Sequence, residues 1–311
     1  MLPAIITTLL WSYCLLPARQ SIAQIGENAA NFWRLLLAVV VTGAIAQWGG
    51  LRFGNEVFGW FLVSGIIGFG FGDVGTFFAL PRIGSRLTLL MAQCVAAPLA
   101  GLAEWLWLGT RINIFQVLAI TVILSGTTLA LFPEHEKKHA VQRKYTSGIL
   151  FGLLAAVGQS MGAVFSRKAF SVLDAGTSLM QIERVGDYIL LGTTAGYERL
   201  LGGILIAGSF WLISRYHAPW QTPPQEDRRN DSFIRKTKNV FLHAATGPIL
   251  GIICFQWALA TTPSALVQPI IAMTPLVVMP MTYYLEGDRP TPRAISGTVV
   301  AVAGVILLAF I

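Results

Sequence analysis

Residues 108–131, LGTRINIFQVLAITVILSGTTLAL, can be laid on residues 285–310, LEGDRPTPRAISGTVVAVAGVILLAF, so that Gly109 meets Gly287, Arg111 meets Arg289 and Gly126 meets Gly304 at a single offset. Each stretch is a polar turn followed by an uncharged apolar run of about 20 residues, long enough for a helix to cross a bilayer core. The correspondence extends upstream. Ala79, Leu80 and Ser85 match Ala258, Leu259 and Ser264, Pro98 falls close to Pro275 after a small gap, and Arg34 corresponds to Arg199. The chain therefore reads as two halves of five spans, residues 1–133 and 147–311, joined by a polar linker over 134–146. Five is odd, so the second half enters the membrane in the opposite sense and the repeat is inverted.

Composition places the chain in the same class. Apolar residues make up 54% of its 311 positions and charged residues 12%, with a mean hydropathy of +0.64. Soluble domains carry about 25% charged residues, so this chain has too few to cover a water-soluble globule. The expectation is an all-α integral membrane protein with about ten transmembrane helices, near 2–18, 32–49, 57–80, 86–108, 112–132, 147–166, 197–214, 240–260, 264–285 and 292–311. Between the sixth and seventh spans, residues 171–196 contain QIERVGDYILLG, a mixture of charged and apolar residues that suits an interfacial amphipathic helix.

The net charge of +7 does not point to nucleic acid, because Lys and Arg sit in short loops between apolar runs and not on a basic arm. They read as topology signals and contacts with the lipid surface. Odd-numbered loops hold sixteen of them and even-numbered loops six, which by the positive-inside rule puts both termini outside. Cys14, Cys94 and Cys254 lie in apolar runs without metal-ligand spacing, so neither a metal nor a cofactor is expected. No HExxH, GxSxG or Walker A sequence stands in a strand-to-helix context, and His135, His139 and His217 lie in loops, which leaves an intramembrane enzyme or a non-transporting scaffold as the alternative class.

Several short motifs recur in order through the chain: Trp11-Ser12, Phe32-Trp33-Arg34, Gly72-Asp73 with Phe77-Phe78-Ala79-Leu80, Pro98 and Gly126, then Ala258-Leu259, Pro275 and Gly304. In this order and with this duplication the chain resembles the EamA-like family of the drug/metabolite transporter superfamily. It departs from the family's usual Gly-Glu-Arg after the fourth and ninth spans, having Gly109-Thr110-Arg111 and Gly287-Asp288-Arg289. The resemblance implies a secondary transporter of small metabolites or drugs in the cell membrane, working by alternating access, with a solute and a coupling proton as partners. It also implies termini on the side opposite to that given by the charge count, and the two criteria disagree.

Candidate functional residues are the polar ones inside apolar runs, where an ionisable group needs a cavity or a partner. Asp73 falls about 10 Å into the third span and Glu104 about 27 Å from the same side, so these two acids are not partners. Arg34 is a suitable partner for Asp73, as a structural anchor or in coupling, while Glu104 is expected near headgroups. Arg34 and Arg199, at the starts of the second and seventh spans, either snorkel to the interface or contribute to a gate or an anion site. Trp11, Gln93, Gln159, Ser160, Gln256, Trp257, Gln268 and Tyr283 are candidate cavity residues. Pro98 and Pro275 free backbone carbonyls in the fourth and ninth spans, which places the solute path beside them. Gly68-x-x-x-Gly72 and Gly158-x-x-x-Gly162 fit close helix packing.

Overall fold

A computed structural model describes residues 1–49, 55–131, 142–175, 184–216, 232–286 and 291–311. Among these residues ten helices are long and apolar enough to cross a membrane. They are α1 (Leu2–Ile25), α2 (Glu27–Gly49), α3 (Val57–Gly84), α4 (Leu87–Leu108), α5 (Ile114–Leu131), α6 (Tyr145–Asp174), α7 (Val185–Ser214), α8 (Phe233–Thr261), α9 (Ser264–Met281) and α10 (Pro292–Ala309). Helix is the form that satisfies every backbone N–H and C=O within a single segment when no water is at hand. The fold is therefore an all-α membrane bundle. The turn residues Gly287, Asp288 and Arg289 and the polar stretches at 132–141 and 217–231 lie outside the described residues.

Three helices begin earlier than hydropathy places them, and all for one reason. α2 starts at Glu27, α7 at Val185 and α8 at Phe233, because charged residues near these ends interrupt the apolar run without ending the helix. Glu27, Arg34, Glu198 and Arg199 are buried against neighbouring helices and do not face lipid. The described part of 171–196 thus forms the end of α6 and the first turns of α7, so the interfacial helix expected there is replaced by a span of 30 residues.

Four of the helices are irregular. α3 winds into a π-helical turn at Ile66–Gly72, α4 at Leu90–Val95 and α8 at Ala245–Ile249. α9 breaks between Ile271 and Thr274. Wide π turns concentrate at functional sites because they leave carbonyls without their usual partners. At the α9 break the loose groups are accounted for. Pro275 has no N–H for the Ile271 carbonyl, and the Thr274 hydroxyl donates to it instead at 2.6 Å. On α1, Thr8 donates to the Ile270 carbonyl at 3.2 Å and Ser12 to the Thr274 carbonyl at 3.0 Å. Thr8 and Ser12 are one turn apart, so a single face of α1 braces the break.

Small residues set the closest helix crossings. α3 crosses α6 where Gly68 and Gly72 meet Gly158 and Gly162, and α5 crosses α10 where Gly126 meets Gly297. A Cβ on Gly158 would fall on the Gly72 backbone, whereas a Cβ on Gly59 would meet nothing within 4 Å. Backbone at such a crossing has little room to yield. Gly158→Ala is expected to lower the thermal unfolding midpoint of the detergent-purified protein, by about 1–3 kcal/mol of stability, with Gly59→Ala unchanged or raised. Equal midpoints for the two variants would contradict the crossing.

Candidate functional site

In the first half of the chain, Arg34 sits about two turns inside α2 and is buried. Asn31, one turn earlier on the same face, accepts from its Nε at 3.1 Å and its Nη2 at 2.9 Å. Nη2 also forms a short ion pair with Asp73 of α3, directly after the π turn, and the guanidinium lies 5.0 Å from the centre of the Phe77 ring. The charge is thus fully neutralised inside the bundle.

The second half holds its matching arginine in a different way. Arg199 lies about four turns into α7, only 2% exposed, and its Nη1 donates to Oε1 of Gln256 on α8 at 3.2 Å. The rings of Phe69 and Phe255 lie 5.2 and 5.5 Å from the guanidinium carbon. Gln256 donates in turn to Ser166, which is hydrogen-bonded to Ser64, so the chain of polar groups continues into α6 and α3. Among the described residues Arg199 has no carboxylate in ion-pair range, and its Nε, shielded from solvent, has no hydrogen-bond partner. Neither arginine snorkels. Each is held by the third helix of its own half.

Between the two arginines lies a central cavity of about 120 Å³, whose lining includes Trp11, Arg34, Asp73, Gln93, Gln159 and Arg199. The cavity draws on helices from both halves. A wider cavity of about 440 Å³, lined by Arg167, Asp174, Tyr188 and Thr261, opens at one end of α6, α7 and α8. Close to it, Glu104 of α4 ties α6 and α9 to its own helix. Its carboxylate accepts from the Ser264 hydroxyl and the Ala265 N–H (3.1 Å) at the start of α9, from Arg167 of α6 (3.3 Å) and from Thr110 (3.2 Å). Arg167 donates also to the Leu259 carbonyl near the end of α8. Glu104 has no exposed surface, so the expectation that it reaches headgroups is wrong. A carboxylate at the first turn of a helix meets unpaired N–H groups and the positive end of the helix dipole.

The EamA-like transporter family matches the chain twice, over residues 1–132 and 146–310. The chain belongs to the EamA-like transporter family. A solved structure titled only "Crystal structure of protein" is similar to it over 99% of this chain and 96% of that one, with a TM-score of 0.69 and 17% identity, a likeness of fold alone. No curated protein matches the sequence. This EamA-like chain is accordingly an integral, multi-pass membrane protein of a transporter family, whose partners are a small solute and the lipid around it.

Of the residues singled out from the EamA-like sequence, Asp73, Arg34, Arg199, Trp11 and Gln93 line the central cavity together. Gln256 reaches it through Arg199, and Gln268 through a 3.4 Å hydrogen bond to the carbonyl of Gln159. Trp257 does not: it stacks on Tyr188 with ring centres 5.8 Å apart. Tyr283 is 42% exposed and points outward. Pro275 is buried at the α9 break, while Pro98 is exposed on the outer side of α4, where its missing N–H accompanies the π turn without facing the cavity. Sequence reading gave no role to Glu198 or His243, both buried; each lies where hydropathy places the end of a span, so the charge looked solvated.

Glu104→Ala leaves Arg167 with only the Leu259 carbonyl and the start of α9 without its acceptor. Breaking a buried pair in this way is expected to remove about 3 kcal/mol of stability, read as a lowered unfolding midpoint, with Glu104→Gln retaining part of it. An unchanged midpoint for the alanine variant would show that Glu104 does not hold these helices.

Proposed function

We propose that the protein is a secondary transporter that moves a small solute across the cell membrane by alternating access through the central cavity. The two repeats, 1–133 and 147–311 with the linker 134–146 between them, are the rocking bodies. The observation that carries this reading is the cavity itself, enclosed by helices of both halves and furnished with buried charges that a purely structural bundle has no use for. The π turns of α3, α4 and α8 and the break in α9 supply the backbone freedom that closing and opening require.

In this reading the Glu104–Arg167–Leu259 network is the closure at one end, and Asp73 with Arg34 is the polar contact that responds to solute or to a proton. Asp73 lies too far along α3 for its short side chain to reach bulk water, so its charge depends on Arg34 and the cavity. An ion gradient, with no nucleotide, drives the cycle.

The test is flux through liposomes containing the purified full chain. Transport is expected under an imposed ion gradient and without ATP, and Asp73→Asn, which keeps the shape and removes the charge, is expected to lower the rate at least tenfold at normal protein levels. Transport that needs ATP and ignores gradients would overturn the mechanism. An Asp73→Asn protein running at the unmodified rate from mildly acidic to mildly alkaline pH would remove Asp73 from it.

A further inference from the structure

Each half of the protein presents an arginine from its second helix to its third, Arg34 to Asp73 and Arg199 to Gln256, and the two partners differ by one negative charge. The first arginine is neutralised within the protein. The second faces a carboxamide, two aromatic rings and the cavity. A guanidinium in so buried a place is expensive to leave without an anion, and rings and amide dipoles offset only part of that expense. Among the charged groups that line the cavity there are two arginines and one aspartate, so its formal charge is positive.

Resting on the transport reading above, we propose that Arg199 is the anion-binding residue of the central cavity and that the solute is a small monocarboxylate. The missing counter-charge in the second half is then supplied by the cargo. The free edge of the guanidinium favours a carboxylate: Nη1 is engaged by Gln256, while Nε has no partner, and Nε with Nη2 forms the side-on fork that two carboxylate oxygens fit. Gly68 and Phe69 of the Ile66–Gly72 π turn pack against this group, so that turn is the part of the wall that must yield when the carboxylate seats. A side chain on Gly68 would fill the place, because its Cβ would lie 2.8 Å from Nη2.

Two nearby acids do not supply the charge. Asp73 is within electrostatic reach of Arg199 but is paired with Arg34. Glu198 is adjacent in the chain, yet consecutive residues of a helix do not face each other, and its Oε2 is without a hydrogen-bond partner. Cavity size limits the cargo. At about 120 Å³ it is smaller than the roughly 150 Å³ cavity that holds benzene, which suits a carboxylate of a few carbons in this conformation.

The decisive variant is Gln256→Glu, nearly the same shape, which gives Arg199 the internal counter-charge that Arg34 already has. Binding is read in detergent as the rise in unfolding midpoint produced by acetate, lactate or propionate, against acetamide, lactamide, propionamide and tetramethylammonium at equal ionic strength. Flux of the same solutes is read in liposomes. At least one carboxylate is expected to stabilise the wild type and its amide not to. Gln256→Glu and Arg199→Gln are expected to lose at least tenfold in apparent affinity, and Arg199→Lys to keep part of it. Arg199→Gln is open to misfolding, whereas Gln256→Glu keeps the arginine and adds an ion pair, so its folding is expected to be at least as good. Carboxylate binding without flux would leave the anion site standing and overturn the transport reading. The anion site itself is overturned if no carboxylate stabilises the protein, if amides or tetramethylammonium do so equally, or if Gln256→Glu responds as the wild type does, even where another solute is carried.

Discussion

A buried arginine in a membrane bundle has to be given a partner inside the protein, because the lipid offers none, and the centre of this molecule is arranged around two of them. Arg34 is met by Asn31 and Asp73, and Arg199 by Gln256 and two phenylalanine rings. Both contacts join the second helix of a half to its third. Both contacts border the same cavity, and on α3 the Gly68 that packs against Arg199 lies little more than one turn before the Asp73 that pairs with Arg34. The electrostatics and the architecture are thus linked: the repeat sets an arginine on the second helix of each half, and one meets a carboxylate while the other meets a carboxamide.

The same requirement that polar groups be paired explains where the helices can afford to be irregular. Lipid-facing backbone must remain helical, so breaks occur where neighbours can serve the freed groups. α9 breaks beside the hydroxyls of Thr8 and Ser12, and its start is held by the carboxylate of Glu104. α3 carries its π turn against the Gly158 and Gly162 face of α6, where the two backbones meet without side chains between them. These irregular segments border the cavity, so the parts of the backbone that deform most readily are those next to the buried charges.

Much of this is legible in the residues. Glycines, prolines and arginines at coherent offsets identify the duplication, and apolar run lengths give the ten spans. Asp73, Arg34, Arg199, Trp11 and Gln93 are recognisable as polar or aromatic residues inside those runs, and the structure gathers them around one cavity. Hydropathy fails where charges are buried within helices. It places Arg34 and Arg199 at helix starts, begins α7 too late, and sends Glu104 to the headgroups, because a one-dimensional window cannot distinguish a carboxylate facing lipid from one facing Ser264 and Arg167. Trp257 and Pro98 fail for a related reason: the face of a helix that meets the cavity is decided by packing, and both project elsewhere.

Alternating access is tested most directly by distances at the two ends of the bundle. Spin labels would be placed on Thr110 and Thr261 at the end near Glu104, and in a second protein on Gln20 and Tyr284 at the opposite end, with Cys14, Cys94 and Cys254 replaced. Each pair joins the two repeats. Pulsed electron resonance on the protein in lipid is expected to give two distance populations for each pair, with the long one at one end growing as that at the other shrinks when an ion gradient or solute is changed. A single distance at both ends, unmoved by any of these conditions, would contradict a rocking transporter.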